Sequence, residues 1–384
     1  MAAISGKSAI VGVNEYPKRR DPTVTALQIH ALCAKAALED AGLTKDDVDG
    51  YFTSGVGGMP TVAMCEFLGL HPTYVDSTSI GGSSFVSHVG HAAGAIAAGL
   101  CNVALITYGS TSWSQLTAIG TGGRAQGDYW DQFEVPYGPT TVGSYALAAQ
   151  RYEHEFGGTV EKRAEVSVAT RKWAQLNPDA MFRDPLTIED VVKSRLVSSP
   201  LRMFECCVIS DGGGAVVMTS AERARDLKQK PVYILGVGEA VSHASMNQMA
   251  DLLTIPAKVS GEKAFRLAGL KPADIQVAEI YDSYTITVLL SLEALGFCKR
   301  GEAADFVKGQ RTAPGGSFPL NTDGGGLSSN HPGMRGIFTV IEATRQLRGK
   351  QGKAQVKDAK VALCHGTGGS LSSGATAILS VESR

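Results

Sequence analysis

Apolar and polar positions alternate along this chain in two periods, and the switches between them mark out its elements. Residues 9–13, Ala9-Ile10-Val11-Gly12-Val13, form a short unbroken apolar run, as a buried strand requires. Residues 25–41 instead place apolar side chains three and four apart, which predicts a helix with one face on a core. The same reading predicts a strand over 49–54, a short helix over 62–68, a strand over 74–77, a helix over 84–98 and a strongly apolar strand over 103–108. Strands alternating with helices imply an α/β chain with a parallel sheet wrapped by helices. The order returns later as a strand over 232–237, a helix over 262–268 and a strand over 277–281.

Local sequence returns with it. Ala41-Gly42-Leu43-Thr44-Lys45-Asp46-Asp47-Val48 is echoed by Ala268-Gly269-Leu270-Lys271-Pro272-Ala273-Asp274-Ile275, a helix-ending glycine followed by a turn into a strand. Val103-Ala104-Leu105 is echoed by Val361-Ala362-Leu363. Two echoes in the same order argue for a duplication, with residues 1–225 as one half and 226–384 as the other. Over about 111–200 the periodicity weakens, and aromatic, proline and glycine residues become frequent, as at Trp113, Tyr129, Trp130, Pro136 and Tyr137. Such an insertion serves as a lid or binding loop, or as an excursion that makes a dimer contact, and the pattern leaves both open.

Composition narrows the function. Hydrophobic residues make up 43% of 384, enough for one large core or two ordinary ones. A net charge of −1, with no dense basic run, gives no field for a phosphate backbone, so nucleic acid is not an expected partner. The N-terminus lacks a signal-peptide layout, and no apolar run is long enough to span a membrane. The seven cysteines stand singly apart from Cys206-Cys207, with no CxxC, and read as reduced thiols of a cytoplasmic protein without zinc or disulfides. The 45 glycines cluster in short runs that mark tight backbone approaches, as at Gly81-Gly82, Gly212-Gly213-Gly214 and Gly324-Gly325-Gly326.

Three motifs in the second half carry candidate chemistry: Ile280-Tyr281-Asp282-Ser283-Tyr284-Thr285; Asn321-Thr322-Asp323-Gly324-Gly325-Gly326 with Asn330-His331-Pro332-Gly333; and Ala362-Leu363-Cys364-His365-Gly366-Thr367-Gly368-Gly369. In this order, and with the duplicated halves, the chain resembles the thiolase superfamily along essentially its whole length. The resemblance implies a five-layered αβαβα thiolase-like fold and a CoA thioester substrate. Coenzyme A enters as part of that substrate, and neither a permanently bound cofactor nor a metal is implied. By the same resemblance Tyr281 points a polar group at the thioester oxygen, His331 is the catalytic histidine and Cys364 the acid/base cysteine. Gly82, Ser83, Cys207, Ser283 and Gly366 fall where substrate and CoA are held, with Cys207 near the pantetheine arm. Relatives imply a homodimer formed through the sheet of the first half, and a small zinc-ribbon and OB-fold partner subunit that helps hold the acyl-CoA.

The chain departs from the family where thiolases carry their nucleophilic cysteine. Counting back from Gly99 puts that position at Gly82, in Ser79-Ile80-Gly81-Gly82-Ser83-Ser84-Phe85; the nearest cysteine is Cys65, in the preceding helix. A thiolate at a helix N-terminus is stabilised by the dipole and attacks carbonyls readily. A serine there without a base does not replace it, and Ser83 reads better as a helix cap. What remains is an acid/base and oxyanion set of Tyr281, His331, Cys364 and the main chain of Gly82 and Gly366. Such a set performs retro-aldol cleavage of a 3-hydroxyacyl-CoA without a covalent intermediate. This resembles the steroid side-chain aldolases of the superfamily, which have tyrosine where this chain has His331, so the choice of base stays open.

Other features read as structural. His88 and His91 are expected to pack their helix, and His365 to face away from Cys364. No phosphate loop occurs, and Gly120-Thr121-Gly122-Gly123 does not fit a dinucleotide fingerprint. Two rival functions stay open: a thiolase acting on a 3-ketoacyl-CoA with free CoA, and a non-catalytic acyl-CoA or lipid carrier or scaffold subunit.

Overall fold

A computed structural model describes residues 4–115, 131–138 and 140–383. Tyr129, Trp130 and the run Gly120 to Gly123 lie outside the described residues. The first half runs β1 (Ser8–Glu15), α1 (Ala26–Ala41), β2 (Gly50–Thr53), α2 (Pro60–Leu68), β3 (Tyr74–Asp76), α3 (Ser84–Ala97) and β4 (Val103–Ser110). The insertion adds α4 (Asp131–Glu134), α5 (Thr141–Phe156), α6 (Val160–Ala174), α7 (Ile188–Lys193) and the hairpin β5 (Leu196–Ser198) with β6 (Leu201–Arg202). After β7 (Gly212–Ser220) come β8 (Val232–Val241), α8 (Ala257–Ala268), β9 (Val277–Ile280), α9 (Thr285–Ala294), α10 (Ala303–Phe306), α11 (Gly336–Leu347), β10 (Val361–Gly368) and β11 (Ser373–Ser380).

Apart from the β5–β6 hairpin, the strands described form one sheet in the order β3-β2-β4-β7-β1-β8-β11-β10-β9. It is mixed, not parallel as periodicity alone implies. Only β3–β2, β2–β4 and β10–β9 run parallel, and the central pairings from β4 to β10 are antiparallel. Residue period reports that a segment is a strand but not its direction. The short turn between Gly368 and Ser373 allows only an antiparallel pairing of β10 with β11. The two half-sheets meet where Ala9 pairs with Tyr233 and Ile10 with Val232.

Strand alternation builds the layers. Ala9, Val11, Val103 and Leu105 point outward to α1, whereas Ile10, Val13, Ala104 and Ile106 point inward. That inner core also receives Ile234, Val277, Ala362 and Leu379 from the second half, and between the two sets lie α3 and α11 through Val89, Ala93, Val340 and Ile341. On the far outer face α8 packs against β8 and β11. The stack is therefore helix, sheet, helix pair, sheet, helix.

The halves also match in detail. The αL caps Gly42 (φ 75°) and Gly269 (φ 60°) end α1 and α8, each followed by a 3₁₀ turn into β2 or β9. A Cβ on Gly12 of β1 would sit 2.1 Å from the Ala37 carbonyl oxygen, and one on Gly236 of β8 would sit 2.1 Å from that of Ala264. Glycine at both places lets a helix lie directly on its strand. No helix among the described residues is long and apolar enough to cross a membrane.

Candidate active site

β9 ends at Ile280, and the chain turns through Tyr281-Asp282-Ser283-Tyr284 into α9, which projects Tyr281 from the carboxyl edge of the sheet. Its backbone N–H donates to the His365 carbonyl of β10 at 2.9 Å, fixing the ring's origin. Tyr281 Oη lies 2.7 Å from His331 Nε2 and 3.2 Å from the Gly333 carbonyl.

His331 sits in the glycine-rich loop 321–335, which buried charge holds in shape. The Asp282 carboxylate accepts the N–H groups of Gly326 (2.6 Å) and Leu327 (3.1 Å). Arg335, fully buried, donates through Nη2 to both Asp323 oxygens (2.6 and 2.7 Å) and through Nη1 to Asn330 Oδ1 (2.6 Å). Its Nε lies 3.3 Å from Asp282 Oδ1. From the insertion, Asn177 Nδ2 donates to the Asp323 carbonyl at 2.8 Å, and the N–H of Met181 donates to that of Ser329 at 3.0 Å. The insertion thus braces the loop and closes over the pocket.

Gly82 forms the opposite wall as bare main chain. A Cβ there would lie 2.0 Å from Tyr281 Cε1 and 2.6 Å from the Thr367 carbonyl oxygen. The Tyr281 ring fills the space that a side chain at position 82 would need. On its other side the Gly82 carbonyl accepts the N–H of Gly336 at 3.1 Å, where α11 begins. Gly81, with φ 72°, completes the turn into α3.

Between these walls lies a pocket of about 300 Å³. The first half contributes Gly81 and Gly82, and the insertion Thr141, Val142, Tyr145 and Val197. Cys206, Cys207 and Ile209 follow, and the second half supplies Tyr281, Ser283, Tyr284, His331, Gly333, Met334 and the turn Thr367-Gly368-Gly369. Tyr145 and Tyr284 stack at 4.4 Å between ring centroids, and Tyr145 Oη donates to the Gly369 carbonyl at 2.9 Å. No lysine, arginine or carboxylate is among the described residues lining the pocket.

Burial sets the protonation states. It lowers His331 from its ordinary value to about 4, assisted by the Arg335 charge, so the ring is neutral at physiological pH. It pushes the Tyr281 hydroxyl well up, so that group keeps its proton. It also lifts the Cys206 thiol to about 12 and the Cys207 thiol well above its usual range, so neither is a ready thiolate.

Of the residues singled out from sequence, the pocket brings together Tyr281, His331, Gly82, Cys207 and Ser283. Cys364, Ser83 and Gly366 stand outside its lining. The Cys364 sulfur is buried in the central layer, 3.4 Å from the Thr339 carbonyl of α11. Strand alternation sends its neighbour His365 the other way, to Thr376 Oγ1 at 2.9 Å. Ser83 holds the N-cap position of α3 without capping it. In an αR conformation, its hydroxyl turns to the Ile80 carbonyl (2.9 Å) and Ser373 Oγ (2.6 Å). Gly366 is a close-approach point, where a Cβ would lie 2.8 Å from Ser83 Cα.

His91 does more than pack its helix. It bridges Asp76 Oδ2 (2.5 Å) and Glu239 Oε2 (3.1 Å), linking the two halves, and its hydrogen bond to Asp76 raises it to about 9. His88 stays a buried packing residue, with Nε2 3.0 Å from the Thr78 carbonyl. Sequence reasoning passed over Arg335 and Tyr145. Only the apolar spacing of residues 141–156 and a basic residue beside the histidine motif hinted at them.

Fold and pocket together define a thiolase-like α/β architecture in which the Tyr281 ring closes the wall at Gly82. Residues 238–381 match the family described as thiolase C-terminal domain-like. The chain is 35% identical over 359 residues to the 17-hydroxy-3-oxo-4-pregnene-20-carboxyl-CoA lyase of Mycobacterium tuberculosis, covering 90% of this chain and 92% of that protein. It is 33% identical over 362 residues to a steroid side-chain-cleaving aldolase of Thermomonospora curvata, covering 91% and 92%. In three dimensions it matches a structure titled Ltp2-ChsH2(DUF35) aldolase with a TM-score of 0.89, 32% identity and 98% coverage of both chains. The acetyl-CoA acetyltransferase of Syntrophomonas wolfei, at 18% identity and a TM-score of 0.72, shares the fold. The chain belongs to the thiolase superfamily, in the branch of the steroid side-chain-cleaving aldolases.

Proposed function

We propose that this protein cleaves the Cα–Cβ bond of a 3-hydroxyacyl-CoA by retro-aldol chemistry, with Tyr281 and His331 handling the proton and no acyl-enzyme. One observation carries the reading: the Tyr281 ring occupies the space a side chain at position 82 would need, and its hydroxyl is 2.7 Å from His331 Nε2. The named activities of the relatives in Mycobacterium tuberculosis and Thermomonospora curvata support it.

In this scheme Tyr281 passes its proton to neutral Nε2 as it accepts the proton of the β-hydroxyl, so no isolated tyrosinate forms in a buried site. The Cα–Cβ electron pair moves into the thioester as an enolate, and the β-carbon leaves as a ketone or aldehyde. Main-chain amides at Gly82, at the N-terminus of α3, and the turn 367–369 supply donors for the enolate oxygen. Returning the proton to the enolate carbon yields the shortened acyl-CoA and restores the pair. The apolar face made by Tyr145, Tyr284, Val142 and Ile209 suits a bulky acyl group.

No cationic side chain lines the pocket among the described residues, which suits it to the acyl and pantetheine part of the thioester and leaves the CoA phosphates to a surface beyond it. We propose a second subunit for that task. A small zinc-ribbon and OB-fold partner is supported by the two-component title of the Ltp2-ChsH2(DUF35) aldolase. A homodimer is the second proposed assembly: β3 ends the sheet with half-exposed Val75, and its outer edge has no strand neighbour among the described residues.

The test is to incubate the protein, with and without such a partner, with bulky 3-hydroxyacyl-CoA and 3-ketoacyl-CoA esters and to identify products by mass spectrometry. The aldolase reading expects a carbonyl product and a shortened acyl-CoA from the hydroxy ester without added CoA. Turnover of only the keto ester, and only with free CoA, would show a thiolase. Binding without turnover, unchanged in His331→Ala, would show a carrier.

A further inference from the structure

Behind the pocket, two acids that the proposed chemistry does not use share one hydroxyl. Glu279 of β9 and Glu342 of α11 are buried, with 0% and 1% exposure. Thr322 Oγ1 lies 2.8 Å from Glu279 Oε1 and also contacts Glu342 Oε1. Gln346 Nε2 donates to the same hydroxyl at 2.9 Å. A hydroxyl has one proton to give and two lone pairs. With one lone pair taken by Gln346, Thr322 donates to one carboxyl and accepts from the other. One of the two acids must therefore carry a proton.

The remaining contacts decide which. Glu342 Oε2 accepts from Gln351 Nε2, while its Oε1 lies 3.2 Å from Gln346 Nε2, whose two hydrogens go to Thr322 Oγ1 and, at 2.8 Å, to the Ala354 carbonyl; Glu342 thus has one full donor besides Thr322. Glu279 Oε1 accepts only the Thr322 N–H besides, at 3.2 Å, and its Oε2 has no hydrogen-bond partner among the described residues. A bare buried carboxylate oxygen is the costlier arrangement of the two.

We propose that Glu279 is a protonated carboxylic acid in the working protein and, with Thr322 and Glu342, a positioning residue that clasps the His331 loop to the strand of Tyr281. Glu279 stands two residues before Tyr281, and Thr322 opens the loop. Next to the clasp Asn321 ties the two segments as well: its side-chain Oδ1 accepts the Ile280 N–H at 2.8 Å, and its own N–H donates to the Ala278 carbonyl at 3.0 Å.

The surroundings favour the proton. Burial raises both carboxyls, Glu279 additionally through Glu342 and Glu342 through Asp323. The cations that face the pair are already engaged: Arg345 of α11 with Glu15 at 2.9 Å, and Arg335 with Asp323. From β10 the facing group is Cys364, whose thiol burial and Glu279 both push up. If the shared proton leaves, two carboxylates flank a hydroxyl that can serve one of them. Strand and loop then part, and the 2.7 Å contact between Tyr281 and His331 opens. The consequence for turnover rests on the aldolase reading, but the proton does not.

Two measurements separate these claims. Difference infrared spectroscopy at neutral pH is expected to show a protonated carboxylic-acid band in the unaltered protein, missing in Glu279→Gln and retained in Glu342→Gln. A spectrum from which Glu279→Gln removes no such band overturns the proposal, whatever the protein does to a thioester. In turnover of a bulky 3-hydroxyacyl-CoA, Glu279→Gln, whose amide also donates to Thr322, is expected to keep the rate. Glu279→Ala is expected to lose about 10²-fold, the scale of an ångström of misplacement. The rate of the unaltered protein is expected to fall at alkaline pH as the Glu279 proton leaves, and the fall should be absent in Glu279→Gln. A Gln variant as impaired as the Ala variant overturns the positioning role; no turnover by the unaltered protein overturns the aldolase reading and leaves the infrared result standing.

Discussion

The two helices of the central layer begin at the same pocket and do opposite things there. α3 arrives through Gly81 and Gly82 as main chain, pressed so closely against Tyr281 and Thr367 that a single methyl group does not fit. α11 arrives behind Arg335, which Asp282, Asp323 and Asn330 enclose, and the loop before it presents His331. Two helix starts meet at one site, yet among the described residues only the one backed by buried charge has a side chain, His331, presented to the pocket by its preceding loop. The other lines the pocket with the main chain of Gly81 and Gly82 alone.

The contrast predicts unequal effects of mutation. The largest concern the second half: Tyr281→Phe and His331→Ala should each lower kcat by about 10²–10⁴-fold while CoA-ester binding persists, measured by steady-state kinetics and calorimetry. Rates within a few-fold of the unaltered protein would refute the dyad. Arg335→Met should destabilise the fold by about 3–5 kcal/mol in denaturant melts, because Asp282 and Asp323 are left buried without their cation. An unchanged midpoint would show that the charge cage is dispensable.

In the first half, Gly82→Ala should cost about 3 kcal/mol, since backbone and a ring must both move. Gly82→Cys should fail to form a trappable acyl-enzyme; a normally stable Gly82→Cys protein that acylates would break the comparison. A smaller effect concerns pH. His331 takes up a proton near 4 when folded and near 6.5 when unfolded. The unfolded state therefore binds more protons between these values, and stability falls as pH drops through that window, by about 1.4 kcal/mol per unit. Paired melts of the unaltered protein and His331→Gln isolate this contribution: the variant's slope should be shallower by that amount, the remainder including that of buried His88 and His365, which burial also lowers to about 4. Least affected should be Cys364→Ala, losing about 1 kcal/mol of stability and little activity; a large kcat loss at unchanged stability would return the thiol to the mechanism.

Much of this was legible in the chain itself. The glycine caps at Gly42 and Gly269 and the apolar strands at Val103 and Val361 announce the duplication, because a cap and a strand depend on local sequence. Tyr281 and His331 were legible through motifs that keep their order. Strand direction was not, because period is blind to it, and so the mixed sheet was missed. The orientation of Cys364 was not legible either, since it depends on whether its strand starts on an odd or even register against α11. Arg335 and the Glu279–Glu342 pair were hidden for a related reason: a buried charge declares itself only once its partners, distant in sequence, are in place.

The closeness of Gly82 to Tyr281 also bears on descent. Placing a cysteine at position 82 demands that the ring vacate the site first, and shrinking Tyr281 first removes the hydroxyl that His331 engages. On the proposed mechanism each single step passes through a damaged protein, so the closure at position 82 works as a ratchet. A lineage that has taken it will diversify by reshaping the acyl pocket more readily than by reverting.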